Sequence, residues 1–520
     1  MTAVSAVRGA IAAGHPVTAE VGAEILRAGG SAVDACIAAA FASWVAEPAL
    51  TGPGGGGFLV AYDAARGRPL ALDFFTAVPG AGHSGAVAPL EPYIVDFGTG
   101  RQTFLVGPGS CAVPGVTAGL EAAHRRLGRL PWAELTRPAI ALARAGVEMT
   151  PAHADVIGLL TGFLGSSPEG ARIFGPSAAP LRAGDRTSNP PLADTLERIA
   201  ANGARELADG ETAHAVVAHQ ASTGGGLTAA DLASYRPIRR RPLQLPYRGR
   251  TFVTNPPPSS GGTLIAHALA VLAAGPPLSG VLTPSSLARI AAALRSANAQ
   301  RTPAFERALY RGGAVRRVLS AAESGQVAHA ASVNWPSRSP WTTQISVLDA
   351  QGNAASLTCS TGCGSGVVVP GTGVHLNNML GETDLNVASL RLAPGMRLTS
   401  MMAPSLVLED GSVALVAGSS GSARIRSAIV QVVVNALDLG LPVQDAVELP
   451  RVHPEGDLLD CEGGIPPETL DALEAAGERL VRWPGLNIYF GGAQVVSHTR
   501  AGFAAAGDPR RGGAGLVVTS

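Results

Sequence analysis

The pattern of apolar and polar positions in the second half of the chain predicts a β-hairpin. Residues 342–349 read as one strand and residues 354–360 as its partner. The residues between them are of types that tolerate left-handed backbone or hydrogen bond to their own backbone, which is typical of a tight turn. If the turn is centred on Gln351, Thr342 lies opposite Ser360. Two hydroxyl side chains would then lie side by side where the hairpin opens.

Helical spacing dominates the first part of the chain. Residues 18–28 carry apolar side chains along one side, and a glycine pair follows them. Ser31 and Asp34 have the spacing of a capping box, which predicts the start of a second helix that runs to about Val45. Apolar residues are spread around this second helix, so we expect it to be buried on most faces.

The same patterns predict the other elements and the fold class. Further helices are expected at residues 119–127, 132–145, 192–202, 211–221, 229–234, 263–274 and 424–439. Strands are expected at residues 59–63, 69–75, 406–408 and 413–416 and within 235–254, and a glycine-serine loop at 418–422. Strands are followed by helices in each half without the regular alternation of a βαβ protein. The expected fold class is therefore α+β, in the form of a layered sandwich.

The composition is that of a well-packed globular enzyme. Of the 520 residues, 46% are hydrophobic and 15% are charged, which does not fit a disordered or coiled-coil protein. The 39 basic residues balance the 39 acidic ones, so the charge points neither to nucleic acid nor to an anionic membrane as a partner. We expect the partner to be a small-molecule substrate.

The cysteines and the N-terminal residues favour a cytoplasmic protein. Residues 1–14 contain one Arg and no apolar stretch of the signal-peptide kind. No run of about 18 apolar residues predicts a membrane span. The cysteines form an odd, sparse set, which favours reduced thiols, and none has partners at the spacing of a zinc site, so no metal is expected. They are Cys36, Cys111, Cys359, Cys363 and Cys461.

Thr342 stands where a self-cleaving nucleophile would be expected. It opens a central strand and follows residues 321–340, a segment rich in Ala, Ser and Pro that reads as an exposed linker. A Thr freed as an N-terminus carries its own base, since an α-amine has a pKa of roughly 7.7–8. Before cleavage the same hydroxyl can attack the carbonyl of Trp341. The alternative is that Thr342 only opens a strand, which is an ordinary role for Thr.

A set of motifs spanning nearly the whole chain carries a family resemblance. In the second half they are Thr342-Thr343-x-x-Ser346, Asp349-x-x-Gly352-Asn353, Gly364-Ser365-Gly366, Leu376-Asn377-Asn378 and Gly418-Ser419-x-Gly421. In the first half they are Gly29-Gly30-Ser31-Ala32-Val33-Asp34-Ala35, residues 54–58 and Pro256-Pro257-Pro258-Ser259-Ser260-Gly261-Gly262. In this order they resemble the γ-glutamyltransferases, a family of autoprocessing N-terminal nucleophile hydrolases.

The resemblance implies a fold, a maturation step and a catalytic set. The fold would be the four-layer αββα sandwich. Cleavage between Trp341 and Thr342 would leave a large subunit, 1–341, and a small subunit, 342–520, which share one catalytic core. Thr342 would be the nucleophile, Ser360 would stand for the family's second Thr, and Gly421 with Ser422 would form the oxyanion hole. No cofactor is implied, and two such αβ units would be free to pair into a dimer of heterodimers.

Substrate recognition is where this sequence departs from the family. Phe75 replaces the Arg that holds the substrate α-carboxylate, and Gly362 replaces a nearby Asn. The remaining substrate contacts implied by the resemblance are Asn378, Met379 in place of Gln, Glu382 in place of Asp, and the hydroxyl pair Thr399 and Ser400. Losing a bidentate Arg removes a contact worth about 1.5–3 kcal/mol. A glutathione-type ligand would therefore bind poorly unless Arg397 or Arg424 takes over.

The function expected is hydrolysis, or transfer, of an amide-linked acyl group through an ester on Thr342. The substrate would be γ-glutamyl-like but not standard. Alternatives within the family are a hydrolase of an antibiotic pathway, including C–C bond cleavage in alkylproline biosynthesis, and an amidase like the cephalosporin acylases, since Phe75 favours an apolar acyl group. The alternative of another class is an uncleaved, non-catalytic binding protein.

Overall fold

In the computed structural model of this chain, residues 6–83, 85–96, 101–323, 341–382 and 392–520 are described. Most of the predicted linker before Trp341 lies outside these residues. Its first three residues differ from the prediction, because they belong to helix α13 (Ala314–Glu323).

Two antiparallel sheets form the centre of the molecule. The seven-stranded sheet has the order β22-β1-β11-β12-β2-β3-β8, and the six-stranded sheet has the order β21-β20-β16-β15-β10-β9. The first sheet contains β1 (Val7–Ala13), β2 (Gly56–Asp63), β3 (Arg68–Phe74), β8 (Ile238–Arg240), β11 (Thr343–Asp349), β12 (Ala354–Ser360) and β22 (Ala514–Thr519). The second contains β9 (Leu243–Tyr247), β10 (Arg250–Thr254), β15 (Ser405–Glu409), β16 (Ser412–Ser420), β20 (Gly492–Thr499) and β21 (Gly502–Gly507).

Helices cover the outer face of each sheet. Those on the seven-stranded sheet are α1 (Pro16–Arg27), α2 (Ala32–Ala46), α3 (Val116–Leu127), α4 (Trp132–Ala145) and α7 (Pro190–Asn202). Those on the six-stranded sheet are α10 (Gly261–Ala273), α11 (Pro284–Ala299), α13, α14 (Arg424–Leu437), α15 (Val443–Glu448) and α16 (Pro467–Ala475), with α12 (Pro303–Arg311) beside them. A third apolar core, which includes Val60, Leu348 and Val416, lies between the sheets. The layers are therefore helix, sheet, sheet, helix, as the αββα prediction requires.

Smaller elements surround this sandwich. Four further α-helices of the described residues are α5 (Pro151–Leu164), α6 (Pro168–Phe174), α8 (Glu211–Thr223) and α9 (Ala229–Ser234). The short strand pairs are β4 (Glu91–Asp96) with β5 (Arg101–Val106), β6 (Val147–Glu148) with β7 (Arg186–Thr187), and β13 (Val368–Val369) with β14 (Val374–His375). A three-stranded sheet contains β17 (Val452–Glu455), β18 (Leu458–Cys461) and β19 (Arg479–Arg482).

The central hairpin has the predicted register. Thr343 pairs with Cys359 and Leu348 with Ala354, which continues to Thr342 opposite Ser360. Asp349 closes the turn, since its side chain accepts hydrogen bonds from the backbone nitrogens of Gln351, at 2.9 Å, and Asn353, at 3.0 Å. Both strands are buried along their whole length because β1 and β2 flank the hairpin.

Helix α2 also follows the prediction. Ser31 and Asp34 form a complete capping box, in which each side chain accepts from the other's backbone nitrogen. All fifteen residues of the helix are buried, as its apolar pattern predicts. The helix lies between the seven-stranded sheet and α4, and this packing fixes the position of the residue that follows it, Glu47.

Some predictions about strands are wrong. Residues 418–420 are not loop but the end of β16, so the turn toward α14 contains only residues 421–423. The sequence patterns also did not indicate β1, the second strand of the central sheet, or the C-terminal strands β20, β21 and β22.

Candidate active site

Thr342 lies at the wall of a small pocket between the two sheets. The pocket is lined by Phe75, Thr342, Ser360, Met379, Ser400, Met401, Met402, Ser422 and Ile425. These residues come from both halves of the chain, and most of them are predicted site residues. Four of the nine contribute hydroxyl groups, and the other five are apolar. No charged side chain is among the lining residues that the structure describes.

Ser360 contacts the peptide bond at which cleavage is predicted. Its hydroxyl donates to the carbonyl oxygen of Trp341 and accepts from the backbone nitrogen of Gly362 at 2.7 Å. The predicted partner of this hydroxyl was the Thr342 side chain, and in the uncleaved chain the partner is the carbonyl next to it. A donor on this oxygen withdraws electrons from the carbonyl carbon, which favours attack by a neighbouring hydroxyl.

Gly421 and Ser422 form the turn between β16 and α14. Their φ angles are 115° and 51°, so both residues adopt left-handed backbone. A side chain at Gly421 would put its Cβ 2.8 Å from the Cα of Gly491, which requires glycine there. The left-handed backbone of Ser422 costs roughly 1 kcal/mol or more of conformational free energy. The turn directly precedes the N-terminus of a fourteen-residue helix, whose dipole favours negative charge. Ser422 lines the pocket, whereas Gly421 is not among its described lining residues.

Phe75 forms an apolar wall of the pocket. Its ring is fully buried and stacks on Phe58, with the ring centres 5.4 Å apart. Its backbone is held at both ends: the nitrogen donates to Asp73 at 3.1 Å, and the carbonyl accepts from the Tyr235 hydroxyl at 2.7 Å. The position that carries Arg in the resembling family is thus occupied by a fixed aromatic ring.

The two arginines proposed to replace that Arg are engaged elsewhere. Arg397 lies over the Tyr235 ring at 4.1 Å, and its Nε is 3.5 Å from Asp73. Arg424 stacks on the ring of Tyr489 at 3.8 Å. Neither is among the described residues that line the pocket.

Met379 lines the pocket, whereas Asn378 and Glu382 are not among its described lining residues. The Asn378 side chain accepts from the backbone nitrogen of Cys363 at 3.0 Å and donates to the carbonyl of Leu105 at 3.3 Å. A Cβ at Gly362 would lie 2.0 Å from the Asn378 carbonyl oxygen, which explains why no larger residue stands there. Substrate contacts of Asn378 and Glu382 stay predictions.

The two predicted hydroxyl residues, Thr399 and Ser400, make different contacts. The Thr399 hydroxyl donates to the carbonyl of Pro258 at 2.7 Å, which ties it to the neighbouring loop. The Ser400 hydroxyl lines the pocket and accepts from the backbone nitrogen of Met402 at 3.1 Å, so its own hydrogen can be donated to a ligand. Ser400 is therefore the better placed of the two for a substrate contact.

A buried polar cluster next to the pocket was not predicted from the sequence. Glu47 accepts from the Thr343 hydroxyl at 2.6 Å, and His15 and His153 lie beside it. The three titratable residues come from separate parts of the chain and form no sequence motif. The only available signal was the polar Glu47 directly after a helix that is otherwise almost entirely apolar.

Within the described residues, no group of three or more His, Cys, Asp or Glu side chains could hold an ion. In the same part of the chain, no helix combines the length and apolar character that crossing a membrane requires.

Comparisons with known proteins show which family the chain belongs to. The sequence model of the family described as Gamma-glutamyltranspeptidase matches residues 18–518. The Acylase ACY 1 proenzyme of Pseudomonas sp. (strain SE83) is 35% identical over 497 residues, covering 92% of this chain and 88% of that protein. The Glutathione hydrolase proenzyme of Pseudomonas aeruginosa is 35% identical over 555 residues, covering 98% of this chain and 94% of that protein. The crystal structure of cephalosporin acylase from Bacillus halodurans aligns with a TM-score of 0.84 and 26% identity, over 99% of this chain and 96% of that one.

These comparisons confirm the resemblance and the α+β fold of the N-terminal nucleophile hydrolases. They also confirm that the protein is an enzyme of the hydrolase and transferase type, with both acylases and glutathione hydrolases among its relatives. The alternative of a non-catalytic binding protein receives no support from them. The chain belongs to the gamma-glutamyltranspeptidase family.

Proposed function

We propose that the chain cleaves itself between Trp341 and Thr342. The Thr342 oxygen attacks the Trp341 carbonyl carbon, the C–N bond breaks, and the hydroxyl proton ends on the departing nitrogen. The resulting ester is hydrolysed by water, which leaves a carboxylate on Trp341 and a free amine and hydroxyl on Thr342. The hydrogen bond from Ser360 to the scissile carbonyl supports this route. Both curated relatives named above are called proenzymes.

The mature Thr342 then acts on amides. Its α-amine takes the hydroxyl proton, directly or through water, as the oxygen attacks the substrate carbonyl. The backbone nitrogens of Gly421 and Ser422 stabilise the oxyanion, and the amine of the substrate leaves with a proton. An acyl ester on Thr342 remains, and water or an acceptor amine releases it.

We further propose that the acyl group is apolar at the end that enters the pocket. The observation that supports this proposal is the lining of the pocket around the nucleophile. Its apolar residues are Phe75, Met379, Met401, Met402 and Ile425, and none of the described lining residues is charged. A carboxylate moved into such surroundings loses its hydration without a paired cation, which costs several kcal/mol. The acylase names of relatives support an amide-linked acyl group as the substrate class.

Two chromogenic anilides test the substrate class. We expect phenylacetyl-4-nitroanilide to be hydrolysed with a kcat/KM about tenfold or more above that of γ-glutamyl-4-nitroanilide, because only the second brings a carboxylate and an ammonium group into the pocket. Release of nitroaniline by purified, mature protein measures both. A preference for the γ-glutamyl substrate would show that the grip on the α-carboxylate has been rebuilt without the family Arg, and would overturn the apolar assignment.

The location and the assembly of the protein are also proposals. We propose a cytoplasmic location, supported by five cysteines that are all free and buried. Within it, the large subunit 1–341 and the small subunit 342–520 form one αβ unit, and two such units pair. Cell fractionation and the mass of the native particle in solution test these two proposals.

A further inference from the structure

A buried carboxylate is hydrogen bonded to the residue that follows the proposed nucleophile. Glu47 has no exposed surface and lies directly after the C-terminus of α2. Its Oε2 accepts from the Thr343 hydroxyl at 2.6 Å, and its Oε1 accepts from the Thr18 hydroxyl, on α1, at 2.9 Å. One side chain thus connects two outer helices to the first residue of strand β11.

Two histidines lie near this carboxylate. The Nε2 of His153, on α5, is 3.9 Å from Glu47 Oε2, and its Nδ1 is 2.6 Å from the Thr150 hydroxyl. The His15 ring lies 5.0 Å from that of His153. Gly14 leaves the space that the carboxylate needs, because a Cβ there would lie 2.7 Å from Oε2.

Glu47 is held in its charged form. Burial alone would raise the pKa of its carboxyl, but the nearby His153 and the hydrogen bond from the Thr343 hydroxyl bring that pKa below its usual value. Burial and the proximity of His153 lower the pKa of His15 to about 4, so His15 is neutral near neutral pH. A charged carboxylate at the C-terminal end of a helix is unfavourable by itself. The hydrogen bonds from its two hydroxyl partners therefore help to stabilise the charged form of Glu47.

The geometry links this charge to the scissile bond. Thr342 and Thr343 are consecutive in an extended segment, so their side chains point to opposite sides of the sheet. Thr342 faces the pocket, and Thr343 faces Glu47 and the outer helices. A hydrogen bond that fixes Thr343 fixes the backbone on one side of the Trp341–Thr342 peptide. Ser360 holds the carbonyl on the other side.

We propose that Glu47 is a positioning residue for self-cleavage: by holding the Thr343 hydroxyl, it sets the orientation of the Thr342 hydroxyl toward the Trp341 carbonyl. The inference rests on the proposed function, since it requires Thr342 to be the nucleophile. Glu47 lies on the far side of the strand, where it accepts hydrogen bonds from the Thr343 and Thr18 hydroxyls. Misplacement of reacting groups by about 1 Å can cost about 100-fold in rate, which gives a remote contact of this kind a measurable effect.

The test follows cleavage of the full-length precursor over time after a pulse of cell-free synthesis. We expect Thr343→Val, which keeps the shape and removes the hydroxyl, to slow cleavage by about tenfold or more. Glu47→Gln should slow it similarly, because it removes the charge that holds the hydroxyl. The double variant should be no slower than the slower single variant, since both remove the same link. Thr343→Ser, which keeps the hydroxyl, should retain a rate close to that of the wild type.

Thr18→Val is the matched control. It removes the other hydroxyl on the same carboxylate without touching strand β11, and we expect a smaller effect than that of Thr343→Val. The thermal unfolding midpoint of each variant, measured on the uncleavable Thr342→Ala background, separates a change in rate from a loss of folding.

The possible outcomes distinguish the positioning role of Glu47 from the proposed self-cleavage by Thr342. Wild-type cleavage rates for Thr343→Val would overturn the inference, as would an equal slowing by Thr18→Val, which would indicate only a general need to satisfy a buried charge. If Thr342→Ala itself were still cut at this bond, the proposed nucleophile would be wrong and the inference would fall with it. Abolished cleavage in Thr342→Ala together with normal cleavage in Thr343→Val would overturn the positioning role alone.

Discussion

Thr342→Ala is expected to remain a single chain and to lose amide hydrolysis by about 10⁴-fold or more, the scale of loss seen when a nucleophile is removed. One substitution removes two functions, because the same hydroxyl attacks the Trp341 carbonyl and later the substrate. The uncleaved chain would also lack the α-amine that serves as the base. Gel analysis of the purified protein and release of nitroaniline measure the two losses together.

Thr342→Ser is the control for that experiment. It keeps a hydroxyl at the same point of the hairpin, so both cleavage and turnover should persist, at reduced rates. The alanine change is sterically mild at this position, and we expect it to leave the fold intact. Maturation of Thr342→Ala into two fragments of normal size would contradict the role of Thr342 in self-cleavage.

Phe75→Arg is expected to reverse the preference between acyl groups. We expect the ratio of kcat/KM for the γ-glutamyl anilide to that for the phenylacetyl anilide to rise by about 100-fold, since one charge-assisted contact is worth up to about 3 kcal/mol. Part of the change would come from gained recognition of a carboxylate and part from loss of an apolar wall. Turnover of both anilides by the same preparation gives the ratio.

Phe75→Leu separates these two contributions. It keeps an apolar wall without the ring that stacks on Phe58, so it should lower turnover of the phenylacetyl anilide while keeping the preference for it. Cleavage of the precursor should be retained in both variants and shows that they fold. An unchanged ratio in a matured Phe75→Arg protein would mean that this position does not contact the acyl group.

The sequence alone predicted those parts of the structure in which local chemistry and periodicity agree. The central hairpin has a turn whose side chains satisfy its own backbone, so its register followed from the residues around Asp349. Helix α2 has a capping box and an apolar run of full length, and both its start and its burial were predicted. The pocket residues Thr342, Ser360 and Ser422 were indicated by family motifs.

Other parts could not be predicted because their stability comes from distant partners. Four of the seven residues of strand β1 are Gly or Ala, and β21 contains three consecutive alanines. Gly and Ala have little strand preference, so pairing with neighbouring strands decides the conformation of these segments. The engagement of Arg397 by Asp73 and Tyr235 likewise depends on the folded chain. So does the meeting of Glu47 with Thr343, which lie 296 positions apart.

The most direct test of the account is the intact mass of the wild-type protein, with the N-terminal sequence of each fragment. We expect two tightly associated fragments, 1–341 and 342–520, the second of which begins with Thr342-Thr343-Gln344. A single full-length chain of 52.4 kDa in active protein, or a second fragment that begins at any other residue, would contradict it.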